Sequence, residues 1–359
     1  MANPVQEHYQ KYPYPHYPLI ASVRRCDTYA LNLEALWTRF NRALPPSEAN
    51  KILIAGCGTF APYPWAVANP NVPITALDLS ERSLRRARWH CLLHGRRNVA
   101  YRCGDLADQE TIDEKFGLID SFGVLHHLEN PLAGLKMLER RLVSGGILRV
   151  MLYSRYARQE EESIRRAFRF IGVDSPQNAR RLLQRAAPGS RLANYLAASD
   201  EPVTVSGLAD ALLHPCVQTY RIDELLEMIV QTGLELLMFA HRGACEDPME
   251  EIERLKIMEK DHRSPGNFVL YLGKNVKQAD SSSDSMIMLN PCLESSVSRF
   301  KFGTVMIHQR IGIENPQLTY RDRSFLRLFA TPVRRSELSR DMAAKVALYK
   351  RLFFLSEYS

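Results

Sequence analysis

From Lys51 onwards, short apolar runs alternate with helix-patterned segments, and this alternation restricts the chain to a sheet covered by helices. Residues 51–55 read as a strand entering Gly56-Cys57-Gly58-Thr59, residues 73–77 as one ending at Asp78, and residues 99–103 as one ending at Gly104-Asp105. Residues 117–124 read as another. Ser80 is placed to cap a helix over 81–93, and Asn130 with Pro131 to start one over 132–142. Ser144-Gly145-Gly146 then turns the chain into a strand at 147–153. Strands separated by crossover helices predict an α/β fold with a doubly wound, parallel sheet.

The flanking segments break this rhythm. Tyr9, Tyr12-Pro13-Tyr14-Pro15 and Tyr17-Pro18 predict an extended aromatic arm, since alternating Pro excludes a helix and holds its neighbours extended. A helix over 31–43 follows, stopped by Pro45-Pro46. Residues 155–213 are helical in character and basic, and read as an insertion capping the ligand edge of the sheet. The alternation resumes with a helix at 222–231, a strand at 234–240, a helix at 248–259 and a strand at 267–272. The expected division is an arm and helix at 1–45, the sheet domain at 46–273, a polar linker at 274–285 and a small α+β, winged-helix-like domain at 286–359. In that last domain, 304–311 and 317–320 suggest a hairpin, and 324–329, 335–342 and 345–354 short helices.

With 45% hydrophobic and 24% charged residues, the 359-residue chain has the balance of a globular protein with a large core. No apolar run approaches the ~20 residues of a bilayer span, and the N-terminus lacks the pattern of a secretory signal. No membrane partner is therefore expected. The seven cysteines form no C-x-x-C pair, which points to reduced thiols in a cytoplasm and to no metal site. Twelve Lys/Arg against six Asp/Glu give residues 286–359 a net charge of +6. That tail reads either as a recognition surface for nucleic acid or an acidic partner, or as a solvated face, edge cover or homodimer contact.

In a doubly wound sheet the ligand lies beyond the carboxyl ends of the strands, where the strand order reverses. Gly56 and Gly58 let the backbone pass close beneath a ligand. Asp78 is placed to accept hydrogen bonds from a ribose diol, and Asp105 from an adenine amino group. His126 and His127 follow the fourth strand. Each reads as a base or substrate contact, or as a polar loop residue. His90 and His94 stand four residues apart with no third ligand nearby, and read as the exposed face of their helix.

Taken in order, Ile54-Ala55-Gly56-Cys57-Gly58-Thr59, Ala76-Leu77-Asp78-Leu79-Ser80, Gly104-Asp105-Leu106, Gly123-Val124-Leu125-His126-His127-Leu128 and Ser144-Gly145-Gly146 resemble the motifs of class I S-adenosylmethionine-dependent methyltransferases. The match covers roughly residues 50–153. The resemblance implies a Rossmann-like seven-stranded sheet, S-adenosyl-L-methionine as cofactor and S-adenosyl-L-homocysteine as product. It places Ala55, Gly56 and Gly58 at the methionyl part, Asp78 at the ribose, Asp105 at the adenine edge, and Leu79 and Leu106 against the ring, and counts Cys57 and Gly123 among the cofactor-binding residues. The arm, Leu152-Tyr153-Ser154 and Ala211-Leu212-Leu213-His214 more distantly resemble a bacterial subgroup that includes rickettsial protein lysine methyltransferases.

One departure stands out: Phe60 replaces the third glycine of the loop. It reads either as an aromatic face for the sulfonium or as packing under the sheet edge. A non-catalytic, cofactor-binding regulator is the corresponding alternative. Gly56-x-Gly58-x-x-Ala61 also fits a relaxed dinucleotide fingerprint, but Pro62 and Pro64 make that helix start a poor cradle for pyrophosphate. Methyl transfer leaves the protein mainly positioning and water exclusion. Tyr14, with Tyr9 and Tyr12, reads as a lid over the substrate or as packing, and His126 or His127 as the base. The acceptor is expected to be a protein, a peptide or a small molecule. Ser121-Phe122-Gly123-Val124 is not an amine-binding tetrad, which disfavours a nucleic-acid base.

Overall fold

The computed structural model describes residues 3–108, 111–199, 204–277, 284–301 and 303–359. Seven strands form the main sheet: β1 (Ile52–Ala55), β2 (Ile74–Asp78), β3 (Val99–Cys103), β4 (Phe116–Phe122), β5 (Leu142–Leu152), β6 (Leu234–Phe239) and β7 (Phe268–Lys274). Their order is β3-β2-β1-β4-β5-β7-β6, and β7 runs antiparallel to both its neighbours. The order reverses at β1, so β1 and β4 part at their carboxyl ends and open a crevice there. β1 is buried throughout because helices cover both faces of the sheet.

Period-two alternation sends Ile52 and Ile54 to one face and Leu53 and Ala55 to the other. The Leu53 face packs with Leu135 and Leu138 of α5 (Pro131–Arg140), Leu225 of α10 (Ile222–Val230) and Leu255 of α11 (Pro248–Lys260). The Ile52 face packs with Leu36 and Phe40 of α2 (Leu33–Asn41) and Trp65 of α3 (Pro62–Ala68). Ser80 accepts the Ser83 N–H to cap α4 (Glu81–Leu93), and Asn130 accepts the Ala133 N–H to cap α5. The insertion comprises α6 (Gln159–Phe170), α7 (Pro176–Gln184), α8 (Arg191–Ala198) and α9 (Val205–Leu213). These close a small core of their own around Phe168, Leu183 and Leu212.

Four expectations change. Residues Pro4–Lys11 of the arm form a helix, α1, because Asn3 accepts the Val5 and Gln6 N–H groups and Pro4 occupies the first turn. The Tyr/Pro repeat stays non-helical, as expected, but begins only after that helix. The strand expected from Ile147 begins at Leu142, so Gly145 and Gly146 lie inside it, opposite an irregularity between Phe116 and Leu118. The hairpin expected at 304–320 reduces to a single bridge, Val305 to Leu318. His90 is buried, because the arm lays the Ala21 carbonyl 2.9 Å from its ring.

Of the expected linker, residues 278–283 lie outside the described residues. Beyond it β8 (Met286–Leu289) pairs antiparallel with β9 (Val333–Arg334) and β10 (Leu355–Tyr358), beside α12 (Tyr320–Arg327) and α13 (Arg340–Arg351). The apolar side chains of this segment join the Ile52-face core. Phe354 meets Tyr29 at 5.3 Å, Phe353 meets Phe40 at 6.3 Å, and Asn290 donates to the Tyr29 carbonyl at 3.0 Å.

Candidate active site

A cavity of about 540 Å³ opens at the carboxyl ends of β1, β2, β4 and β5. Its size suits a small-molecule site. Gly56 and Gly58 line it with φ of 73° and 55°, in the left-handed region where a Cβ is strained. The Gly58 N–H donates to Asp78 Oδ2 at 2.7 Å, and the Ser80 N–H donates to Oδ1 at 2.8 Å. Burial raises the Asp78 carboxyl to about 6 in spite of these two donors. Each oxygen keeps a second lone pair, so the carboxylate remains an acceptor for a ligand. Asp105 also lines the cavity, and its Oδ1 accepts the Ala107 N–H at 2.8 Å. Leu79 and Leu106 complete this lobe, as do Cys57, Phe60 and Gly123.

The structure therefore brings the expected residues to one wall, apart from Ala55 and His126. Ala55 is fully buried at the end of β1, one residue short of the cavity. His126 and His127 diverge. His126 is fully buried outside the cavity wall, stacks on Tyr153 at 3.7 Å, and among the described residues has no hydrogen-bond partner at either ring nitrogen. His127 lines the cavity, and its Nδ1 lies 2.9 Å from the Cys216 carbonyl. A carbonyl only accepts, so Nδ1 carries the proton and Nε2 keeps the lone pair. Burial lowers the His127 pKa to about 4, so the ring is neutral near pH 7.

The arm covers this wall. Asn3 reaches Asp105 at 3.4 Å, Gln6 donates to the Leu79 carbonyl at 3.1 Å, and Ser80 Oγ donates to the Tyr9 carbonyl at 3.1 Å. The Tyr14 carbonyl accepts the Thr59 N–H at 3.1 Å, and the Thr59 hydroxyl donates to the Pro15 carbonyl. Tyr9 and Tyr14 line the cavity, whereas Tyr12 packs by the His8 ring. Phe60 lines the cavity as well, but its ring lies 4.4 Å from that of Tyr17 and 5.0 Å from that of His90. Its face is already engaged by the arm.

Several groups that the sequence reading passed over also converge here. The Tyr9 hydroxyl donates to Asp210 of α9 at 2.9 Å, and Arg158 lies over the Tyr153 ring at 4.1 Å. Asp210 is the lone charge in Val-Ser-Gly-Leu-Ala-Asp-Ala-Leu-Leu, and that was its one signal. At the sheet, Arg149 of β5 pairs with Asp120 of β4 at 3.0 Å, and the Trp65 indole donates to the same carboxylate at 2.9 Å. His8, Asp210 and His214 present ligand-type atoms within 4.8 Å of one another. However, His214 Nδ1 accepts the Cys216 N–H at 3.1 Å. Its proton therefore sits on Nε2, which leaves the neutral ring no lone pair for a metal.

Residues 53–150 match the family described as Methyltransferase domain. These residues form a methyltransferase domain of the class I, S-adenosylmethionine-dependent type. Like others of that class, this methyltransferase takes its methyl group from S-adenosylmethionine and releases S-adenosylhomocysteine. Its fold is similar to that of PKMT2 from Rickettsia typhi in complex with AdoHcy, with a TM-score of 0.57 and 16% identity over 96% of this chain and 77% of that one. In sequence it is 28% identical to an uncharacterized protein of Synechococcus sp. over 81% of this chain and 78% of that protein. Over 27% of this chain and 39% of the relative it is 34% identical to a ubiquinone biosynthesis O-methyltransferase of Idiomarina loihiensis.

Proposed function

We propose that the methyltransferase holds its cofactor against the Gly56–Gly58 loop and methylates an acceptor that enters the same cavity beside His127. The observation that carries this reading is the convergence of Gly58, Asp78, Asp105 and His127 on one cavity. The donor set fits: the hydroxyl and amino groups of an adenosine are donors, and the wall offers two carboxylate acceptors flanked by Leu79 and Leu106. When bound, S-adenosylmethionine supplies a methyl group on positive sulfur. Asp78 would accept from the ribose diol and Asp105 from the adenine amino group. Gly56, Cys57, Gly58 and Gly123 would let the backbone approach the methionyl part, with Phe60 walling one side. Ala55 contributes by ending β1 and setting the loop. The arm, through Tyr9 and Tyr14, would exclude water from the reacting groups.

His127 is the base in this reading. Its tautomer leaves Nε2 able to take a proton from an acceptor hydroxyl or amine. His126 supports it from behind and does not touch the acceptor. A cavity enclosed by the arm and lined by Tyr9, Tyr14 and Tyr153 suits a small molecule or a single side chain of a peptide or protein, and does not suit a base within a duplex. Among the described residues no helix is long and apolar enough to cross a membrane. All seven cysteines are free, which supports work in a reducing cytoplasm. Calorimetry with S-adenosylmethionine tests the reading. One site per chain is expected, and unchanged binding by Asp78→Ala would overturn the assignment of the wall.

A further inference from the structure

Helix α4 does two things at once. One side holds the arm: Arg86 donates to the Tyr17 carbonyl at 2.6 Å, His94 lies 3.1 Å from the Leu19 carbonyl, and His90 lies 2.9 Å from the Ala21 carbonyl. This gripping of the arm is why His90 is buried. The adjoining side carries Trp89, Leu92 and Leu93, which are 58%, 46% and 61% exposed. Residues 89, 92 and 93 share one stripe of a helix. Ile20, between the two arm residues that the histidines hold, is 86% exposed. An indole and three aliphatic side chains thus face solvent together, on two segments locked to each other by hydrogen bonds.

Around them positive charge predominates. Arg85, Arg88 and Arg97 are exposed on the same helix and the turn after it. Arg85 has Glu81 at 3.8 Å, and among the described residues no acid pairs with Arg88 or Arg97. A core position would not retain these arginines, and an ordinary solvated helix face would not present Trp89, Leu92 and Leu93 side by side. Apolar side chains with an indole, ringed by long cationic ones, match the boundary of an anionic bilayer, where rings sit at headgroup level and guanidinium groups reach the phosphates.

We infer that the face formed by α4 and the Leu19–Ala21 segment, with Ile20, Trp89, Leu92 and Leu93 inside a rim of Arg85, Arg88 and Arg97, docks the enzyme on anionic lipid surfaces. Such a contact lies on the membrane and needs no spanning helix. Charge complementarity selects lipid as the occupant, because a second copy of this face would set arginine against arginine.

The test uses the full chain with vesicles of phosphatidylcholine, with and without phosphatidylglycerol. Sedimentation with the anionic vesicles alone is expected, and it should weaken as salt rises. Trp37 and Trp65 are buried at 4% and 1% exposure, so a shift of tryptophan emission to shorter wavelength reports Trp89. Ile20→Ser with Leu93→Ser, and separately Arg88→Glu with Arg97→Glu, should each weaken binding by about tenfold or more at unchanged thermal stability. Absence of binding at low salt, equal binding by the charge-reversed variant, or a concentration-dependent dimer dissolved by Leu93→Ser would each overturn the inference.

Discussion

The backbone N–H of Gly58 donates to the Asp78 carboxylate at 2.7 Å, joining the loop after β1 to the end of the neighbouring strand β2. Asp78 thus shapes the glycine loop as well as offering acceptors to a ligand. Asp78→Ala should lose roughly 2–4 kcal/mol of cofactor binding, from charged-acceptor hydrogen bonds alone. Its pH dependence has a definite sign. Donors on the ligand favour the carboxylate, whose pKa in the free protein is raised to about 6, so affinity should fall as pH drops through about 6. Calorimetry at pH 5 to 8, in buffers of differing ionisation heat, should show protons released on binding near pH 6.

Gly58→Ala tests the arm. A Cβ there would lie 2.6 Å from the Tyr14 carbonyl oxygen, at a φ of 55°. Gly95 has a comparable φ of 68° but, among the described residues, nothing within 4 Å of its Cβ position, so Gly95→Ala carries the backbone strain alone. Both variants should lose about 1–2 kcal/mol in thermal unfolding. Only Gly58→Ala should speed proteolytic cleavage within residues 1–21 and weaken cofactor binding. Equal cleavage of the two variants would show that the arm does not depend on this contact.

What the sequence made legible, and what it hid, divides by the range of the interaction. Ser80 and Asn130 cap helices by bonds three residues long, and Asp78 and Asp105 end strands whose apolar pattern is local. α1 is different. Asn3 and Pro4 are local start signals, but Pro4 to Lys11 is polar, and the tie of Asn3 to Asp105 that lays the helix over the cofactor wall spans 102 residues. His90 reads as a surface residue until the Ala21 carbonyl is placed upon it. The same holds for Phe353 and Phe354, whose partners Phe40 and Tyr29 stand at the far end of the chain. The separation of His126 from His127 turns on the Cys216 carbonyl, which a helical insertion delivers.

His127→Gln should slow methyl transfer about 10²- to 10⁴-fold, the usual contribution of a base, while cofactor affinity stays unchanged. Glutamine keeps a polar group in place but cannot take a proton. Because His127 stays neutral down to about 4, the acid limb that it contributes to the rate should lie near pH 4 and not near 6.5. Single-turnover rates on an acceptor that the wild-type chain methylates, with calorimetry beside them, separate the cases. A fall in cofactor affinity as large as the fall in rate would make His127 a cofactor contact.

The arm should also come loose in acid, and His8 of α1 is the group through which it does so. Its ring packs 4.8 Å from that of His214 and beside Tyr9 and Tyr12. Burial, with Lys11 adding repulsion, lowers its pKa to about 4 from an ordinary 6.5. A lowered histidine pKa means that the released or unfolded chain binds the extra proton, so stability rises with pH across that interval. The stabilisation is complete above about 6.5 and is lost as pH falls towards 4, at about 3 kcal/mol for a shift of this size. Releasing α1 exposes His8 without unfolding the sheet, so detachment is the cheaper route. Proteolysis within residues 1–21 should therefore quicken several-fold between pH 6.5 and 5 while the sheet core survives. His8→Phe keeps a ring among its neighbours and removes the titration, and it should hold the cleavage rate nearly flat over the same range. If the variant's arm is cleaved faster as the pH falls, by as much as the wild type's, His8 is not the group that acid acts on.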